Sequence, residues 1–136
     1  MNRVSETRVQ FKDAKVLVAE DNEFSLEVIR QMLKLFGIDA DAAVDGVEAL
    51  SKVQSKEYDL LILDIHMPNM DGNEAARKIR KLAIKQPTLV ALTASVFEEE
   101  KQASLSAGFD DYYNKPLEMN GLEGMLIKHL KAFADS

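Results

Sequence analysis

The sequence contains no cysteine, no long apolar run and no cluster of basic residues. Without cysteine the chain can form neither a disulfide framework nor a thiolate metal site, which fits a reducing compartment. Uninterrupted apolar runs reach only about four residues, far short of the roughly 20 residues that a membrane span requires. The net charge is −6, and the scattered lysines and arginines do not favour direct binding to DNA or RNA. These absences predict a soluble domain that faces the cytosol.

A length of 136 residues and an apolar fraction of 46% suit one domain with a packed core. Residues 1–13 are polar and mixed in charge, and they resemble neither a signal peptide nor a transit peptide. We therefore predict a linker or tail over residues 1–13 and one domain over residues 14–134.

Short apolar runs mark the predicted strands. Residues 16–19, 60–63 and 89–92 are apolar without polar alternation, which is typical of strands covered on both faces of a parallel sheet. Residues 38–44 form a weaker strand that we expect near an edge, and residues 111–114 form a fifth. Right-handed crossovers between these strands predict an open, doubly wound α/β sheet.

Segments of helical period separate the strands. From Glu23 to Phe36 the spacing of apolar residues predicts a core-facing helix, and the last helix is predicted from Met119 to Phe133. The predicted core stripe of the first helix consists of Phe24, Val28, Met32 and Leu35, with Ile29 and Leu33 beside it. The other three helices are predicted to begin with capping boxes, which pair Asp45 with Glu48, Asp71 with Glu74 and Ser95 with Glu98.

Charged and polar residues follow the predicted strands at their carboxyl ends, where ligands bind to such sheets. Glu20 and Asp21 follow the first strand, Asp64 the third, Thr93 the fourth and Lys115 the fifth. Neighbouring carboxylates repel by roughly a few kcal/mol per pair, so a cation is needed, and Mg²⁺ prefers oxygen ligands. Such a site would suit phosphoryl transfer, with a carboxylate as nucleophile and the lysine beside the phosphate.

Four segments resemble the signature blocks of two-component receiver domains: V-L-V-A-E-D-N, L-I-L-D-I-H-M-P-N-M-D-G, A-L-T-A-S and G-F-D-D-Y-Y-N-K-P-L. The resemblance covers nearly all of residues 15–130. The spacings agree as well, since Asp64 lies 43 residues after Asp21, Thr93 follows after 29 more and Lys115 after a further 22. The resemblance implies a flavodoxin-like (βα)5 fold with three α/β/α layers and the strand order 2-1-3-4-5.

The same resemblance implies how the residues act. Asp64 matches the phosphoacceptor. Asp21, Asp64 and the backbone carbonyl of His66 match the ligands of Mg²⁺, for which Mn²⁺ would substitute, and Glu20 matches an acidic residue that acts on the metal through water. His66 and Ser95 match positions that tune hydrolysis of the acyl phosphate.

Further residues match the phosphate-binding and switching positions of receivers. Thr93, Ala94 and Lys115 match the residues that contact the phosphoryl group. Thr93 is also the hydroxyl that moves on phosphorylation, and Tyr112 matches the aromatic residue that turns inward. The resemblance implies a peptide bond between Lys115 and Pro116 that is cis. It also implies a domain that assists its own phosphorylation and dephosphorylation.

The blocks resemble most closely the receivers of hybrid sensor histidine kinases, which predicts a phosphorelay module within a larger kinase. The expected partner is a histidine kinase or a histidine phosphotransfer domain. The expected location is cytoplasmic, with membrane anchoring of the parent protein left open. A weak homodimer through the fourth and fifth helices is also expected. The alternative is a stand-alone, single-domain response regulator.

Three other interpretations fit the sequence less well. An aspartate-nucleophile phosphatase would share the sheet and the metal, but it would need a second acid where His66 stands. A flavodoxin-like binding module would need a phosphate loop rich in serine and threonine after the first strand, where Glu20 and Asp21 would repel a phosphate. A degenerate receiver would have lost an acidic or lysine position, and all are present here.

Overall fold

A computed structural model describes residues 9–135 of the chain. The strands are β1 (Gln10–Phe11), β2 (Val16–Ala19), β3 (Asp41–Ala43), β4 (Leu60–Asp64), β5 (Thr88–Thr93), β6 (Asp111–Asn114) and β7 (Ala134–Asp135). The helices are α1 (Glu23–Leu35), α2 (Gly46–Ser55), α3 (Gly72–Arg80), α4 (Glu98–Ala107) and α5 (Met119–His129), followed by a 3-10 turn at Lys131–Phe133.

The central sheet contains five parallel strands in the order β3-β2-β4-β5-β6. These are the five strands predicted from the sequence. Because β1 lies in a separate sheet, β2 is the first strand of the central sheet, and the predicted order 2-1-3-4-5 is confirmed. The weak strand lies at an edge, as expected, but it is shorter than residues 38–44 and spans only Asp41–Ala43. The order reverses between β2 and β4, which places a crevice at the carboxyl ends of these two strands.

Alternate residues of the central strands supply two separate cores. Leu60 and Ile62 of β4 pack on the face covered by α1 and α5. Leu61 and Leu63 pack on the opposite face, against α2 and α3. Because successive side chains of a strand point to opposite faces, an uninterrupted apolar run fills both layers, and the predicted three-layer arrangement is confirmed.

Helix α1 buries a different face from the one predicted. Its fully packed residues are Leu26, Ile29 and Leu33, which recur at the i, i+3, i+7 spacing. Phe24, at the start of the predicted core stripe, is 79% exposed. The remaining stripe residues are exposed or half-buried: Val28, Leu35 and Met32. The helix therefore carries two apolar stripes, of which the domain covers only one.

Capping explains where most of the helices begin. The side chains of Asn22, Asp45 and Asp71 accept hydrogen bonds from the backbone of α1, α2 and α3, as is typical of such residues at helix N-termini. The prediction that Ser95 caps α4 is wrong, because that helix begins at Glu98 without a side-chain cap. Within residues 9–135, no helix combines the length and apolarity needed to cross a membrane.

The last helix ends earlier than predicted. Helix α5 stops at His129, and a 3-10 turn replaces its expected final turn. Its predicted core residues are nevertheless buried, namely Leu122, Met125, Leu126 and Leu130.

A small antiparallel sheet joins the two ends of the described chain. Strand β1 pairs with β7, and the fully buried Phe11 of β1 packs edge-to-face on Phe36 with ring centroids 6.3 Å apart. The prediction of a linker or tail is therefore wrong for Gln10 and Phe11. These residues form a strand, and the Phe11 side chain is part of the core. Residues 1–8 of the predicted tail lie outside the described residues.

Candidate functional site

The polar residues singled out from the sequence lie at one edge of the sheet. Glu20 and Asp21 directly follow β2, Asp64 ends β4, Thr93 ends β5, and Lys115 directly follows β6. These four strands are adjacent and parallel, so their carboxyl ends meet at the same rim. Glu20, Asp64 and Thr93 are buried there.

Lys115 is the cation that contacts two of the acidic residues. Its Nζ lies 3.0 Å from Asp64 Oδ2, to which it donates a hydrogen bond, and 3.0 Å from Glu20 Oε2. The ammonium is partly buried, whereas both carboxylates are almost inaccessible. The peptide bond between Lys115 and Pro116 is cis, as the resemblance implied.

Three carboxylates converge beside this lysine. Oxygens of Glu20, Asp21 and Asp64 all lie within 4.8 Å of one another, with Asp21 on the exposed side. One lysine offsets only part of this negative charge. Glu20 Oε2 is also buried without a well-aligned hydrogen bond, although it contacts the lysine. A hard divalent cation with oxygen ligands fits this donor set.

The protonation behaviour of the pair reflects burial and mutual contact. Burial raises the pKa of Glu20 above its usual value, and the nearby charge of Asp64 raises it further. Burial alone would lower the pKa of Lys115, but its contacts with Glu20 and Asp64 outweigh burial and raise it. The contacts therefore favour the charged form of the lysine, while burial opposes the charged form of the glutamate more strongly than the Lys115 contact favours it.

The backbone of His66 contacts Asp64, whereas its ring points away from the acidic cluster. Its backbone N–H donates a hydrogen bond of 3.2 Å to Asp64 Oδ1. Its ring is 70% exposed and lies 3.8 Å from Glu100 Oε1 on α4. The ring therefore faces α4, and the metal-ligand role of the backbone carbonyl stays a prediction.

Thr93, Ser95 and Tyr112 form one hydrogen-bond network. Ser95 N–H donates to Thr93 Oγ1 at 3.1 Å, and the Tyr112 hydroxyl donates to the Ser95 carbonyl at 3.1 Å. Ala94, between the two loop residues, is exposed. The predicted switch residues are therefore linked through the loop that connects β5 with α4.

Two residues at the site escaped the sequence analysis. Gly72 begins α3 so close to β4 that a Cβ atom would lie 2.5 Å from the Asp64 carbonyl oxygen, so only glycine fits. The M-P-N-M-D-G segment contains this signal. Asn114 donates to the Ser95 carbonyl at 2.5 Å; it stands directly before Lys115 in a quoted block, but the sequence analysis gave it no role.

Comparison with known proteins agrees with this geometry. The model of the response regulator receiver domain family matches residues 16–127. The chain is 35% identical over 124 residues to hybrid signal transduction histidine kinase L of Dictyostelium discoideum. It is 41% identical over 115 residues to the aerobic respiration control sensor protein ArcB of Escherichia coli (strain K12). These alignments cover 86% and 83% of this chain but only 7% and 15% of the two relatives.

Two solved structures are informative neighbours. One is the receiver domain of sensor histidine kinase PA1611 from Pseudomonas aeruginosa PAO1, with a magnesium ion coordinated in its active site cleft. It has 30% identity and a TM-score of 0.79, covering 87% of this chain and 98% of that one.

The other is the complex of the Saccharomyces cerevisiae histidine phosphotransfer protein Ypd1 with the receiver domain of the response regulator Ssk1. Identity is 26% and the TM-score is 0.82, covering 89% of this chain and 91% of that one. With the acidic cluster at the sheet rim and a family model that matches most of its length, this chain belongs to the family of response regulator receiver domains, the phosphoacceptors of phosphorelays.

Proposed function

We propose that Asp64 accepts a phosphoryl group from a phosphohistidine and that the domain relays it within a phosphorelay. The observation that carries this proposal is the position of the Asp64 carboxylate. Lys115 Nζ lies 3.0 Å from Oδ2, and the His66 N–H lies 3.2 Å from Oδ1. Glu20 is equally buried but lacks the contact with the His66 N–H that orients the Asp64 carboxylate.

In the proposed reaction a carboxylate oxygen of Asp64 forms a bond to phosphorus. The phosphorus–nitrogen bond of the phosphohistidine breaks, and its electron pair stays on the imidazole nitrogen, which then takes up a proton from water. Lys115 shifts its contact from the carboxylates to the new phosphoryl oxygens as a point charge. The product is an acyl phosphate on Asp64.

A divalent cation fits the acidic cluster, and Mg²⁺ is the metal we propose, with Mn²⁺ as a substitute. Asp21, Asp64 and the His66 carbonyl would hold it directly, and Glu20 would act through water. When bound, the metal supplies positive charge that offsets the charge of the transferring group. Glu20 Oε2, buried with only the lysine contact, and the three carboxylate oxygens within 4.8 Å of one another support this assignment.

We propose that Thr93 and Tyr112 read out the phosphorylated state. Thr93, Ala94 and Lys115 would contact the phosphoryl oxygens. Rotation of the Thr93 hydroxyl toward the phosphoryl group would remove the acceptor of the Ser95 N–H and free Tyr112 to turn inward. This differential contact shifts a two-state equilibrium. The exposed His66 ring and Ser95 flank the site and would tune the hydrolysis of the acyl phosphate.

The proposed partner is a histidine kinase or a histidine phosphotransfer protein. Exposed apolar residues lie in the loops and first helical turns that follow the carboxyl ends of the strands: Phe24, Val44, Val47, Val96 and Phe97. Such a surface suits a protein phosphodonor better than a small substrate. Similarity to hybrid kinases supports an origin within a larger, cytoplasm-facing kinase, with a stand-alone regulator as the alternative. A weak dimer through α4 and α5 stays part of the proposal.

Intact mass after incubation with acetyl phosphate tests the role of Asp64. With Mg²⁺ present we expect a gain of one phosphoryl group, which chelation of the metal or Asp64→Ala abolishes. The matched control is Asp39→Asn, an exposed aspartate outside the cluster, which should leave the gain unchanged. A gain that survives Asp64→Ala would refute the assignment.

A further inference from the structure

The carbonyl of Ser95 accepts two hydrogen bonds from side chains of β6. Tyr112 donates its hydroxyl at 3.1 Å, and Asn114 donates its amide at 2.5 Å. The Asn114 amide also lies 3.4 Å from the Thr93 carbonyl. Tyr112 is a proposed switch residue, whereas Asn114 has no role in the mechanism described above.

Asn114 and Lys115 together hold both ends of a short loop segment. The backbone N–H of Lys115 donates to the Thr93 carbonyl at 2.8 Å, and Asn114 holds the Ser95 carbonyl two residues later. Ala94 lies between these two anchored carbonyls. Two consecutive residues, Asn114 and Lys115, thus join the carboxyl end of β6 to the loop after β5. Lys115 also supplies the ammonium group at Asp64.

Anchoring these carbonyls fixes the directions of the neighbouring N–H groups. A peptide unit is planar and trans, so its C=O and N–H point to opposite sides. The direction of the Thr93 carbonyl therefore sets that of the Ala94 N–H, and the Ser95 carbonyl limits how far the following loop can tilt. Fixed donors are effective because they need no reorganisation during the reaction.

We propose that Asn114 is a positioning residue that holds the loop of Thr93, Ala94 and Ser95 in register with Lys115. The inference rests on the proposed function, because it assigns Asn114 to phosphoryl transfer at Asp64. The hydrogen bond to Ser95 keeps the loop in place when the Tyr112 hydroxyl leaves the shared carbonyl. Asn114 acts through the loop and does not touch the reacting atoms.

A residue that orders this loop affects both the phosphorylation of Asp64 and the hydrolysis of the acyl phosphate. The same loop groups surround the phosphoryl group when the acyl phosphate forms and when water hydrolyses it. Loss of Asn114 therefore slows both steps. One net hydrogen bond corresponds to a factor of about 3 to 10 in each rate.

The test measures both rates in Asn114→Ala and Asn114→Asp. Acetyl phosphate and Mg²⁺ give the rate of phosphorylation by intact mass, and decay after removal of the donor gives the rate of hydrolysis. The aspartate variant keeps the shape but replaces the donor with a carboxylate that the Thr93 and Ser95 carbonyls repel, so we expect it to be slowed at least as much as the alanine variant. Asn114→Gln, which retains an amide donor, should recover part of each rate.

The matched control is Asn120→Ala, which removes an exposed asparagine of α5 and should keep both wild-type rates. Rates are normalised to the folded fraction measured by circular dichroism, so that a loss of stability alone does not count. Wild-type rates in the folded Asn114 variants, or a change in only one of the two rates, would overturn the inference while leaving Asp64 as acceptor. A wild-type domain that gains no phosphoryl group would instead overturn the proposed function.

Discussion

The apolar interior and the acidic rim place opposite demands on the same strands. In β4, Leu60 to Leu63 are fully buried between two helical layers, and every side chain has apolar neighbours. One residue later, Asp64 is buried beside Glu20, and a single partly buried lysine contacts both. Burial stabilises the fold in the first case and opposes the charged form in the second.

The contrast shows that one strand both stabilises the fold and positions a functional carboxylate. The interior stabilises the domain well enough for the rim to keep buried carboxylates that a core would not tolerate. Binding of a cation then relieves an unfavourable arrangement rather than creating a new one. Substitutions in the two regions should therefore change stability in opposite directions.

The largest effect is expected from Phe11→Ala. Phe11 is fully buried and contacts the ring of Phe36, and loss of a buried phenylalanine costs about 3–5 kcal/mol. Urea denaturation measures this loss, and the folded variant should still bind Mg²⁺ with unchanged affinity. Phe97→Ala is the control, since that ring is 63% exposed. Equal stability of the two variants would show that residues 10 and 11 are not part of the core.

An effect of opposite sign and smaller size is expected from Glu20→Gln. Burial raises the pKa of Glu20, so its ionisation disfavours the folded state. The metal-free variant should be more stable at neutral pH, by an amount on the order of 1 kcal/mol, the typical size of a single-substitution effect. It should bind Mg²⁺ more weakly, and calorimetry measures both changes.

The pH dependence of this variant follows from the same shift. Below the unfolded-state pKa of glutamate, both states hold the proton and the side chain adds no penalty. As the pH rises through the higher folded-state pKa, the wild-type domain loses stability that the glutamine variant keeps. The two metal-free curves should therefore converge at acid pH and separate toward neutrality. Parallel curves would contradict a raised pKa for Glu20.

The smallest effect on stability is expected from Phe24→Ser. Its ring is 79% exposed, so the free energy of unfolding should change by less than about 0.5 kcal/mol. Phosphoryl transfer from a protein donor should slow several-fold, because the rim loses apolar contact area, while the rate with acetyl phosphate should not change. Ile127→Ser, in the second half of α5, is the control. Equal slowing with both donors would argue against a docking role.

The strands and the site were predictable because their signals are local. Uninterrupted apolar runs specify buried parallel strands, and a parallel sheet brings the residues after each run to one rim. Asp64 and Lys115 lie 51 residues apart in the chain, yet their places at strand ends suffice to bring them together.

The parts that failed depend on tertiary contacts. Helix α1 has two apolar stripes, and periodicity does not indicate which one the sheet covers. Phe11 shares a mostly polar segment with Val9, and two alternating apolar residues are too short a pattern to mark burial. Ser95 matches a capping box, but its carbonyl is held by Tyr112 and Asn114, and α4 begins only at Glu98.

The pairing of β1 with β7 also determines how the domain responds to force. Gln10 lies opposite Asp135 and Phe11 opposite Ala134, so tension drawing the two ends apart loads the outer pair first. A ladder loaded in this way separates one residue pair after another, which needs less force than shearing all its bonds together. Tension applied at the two ends of the domain would therefore separate β1 from β7 before it loaded the carboxyl ends of β2 and β4.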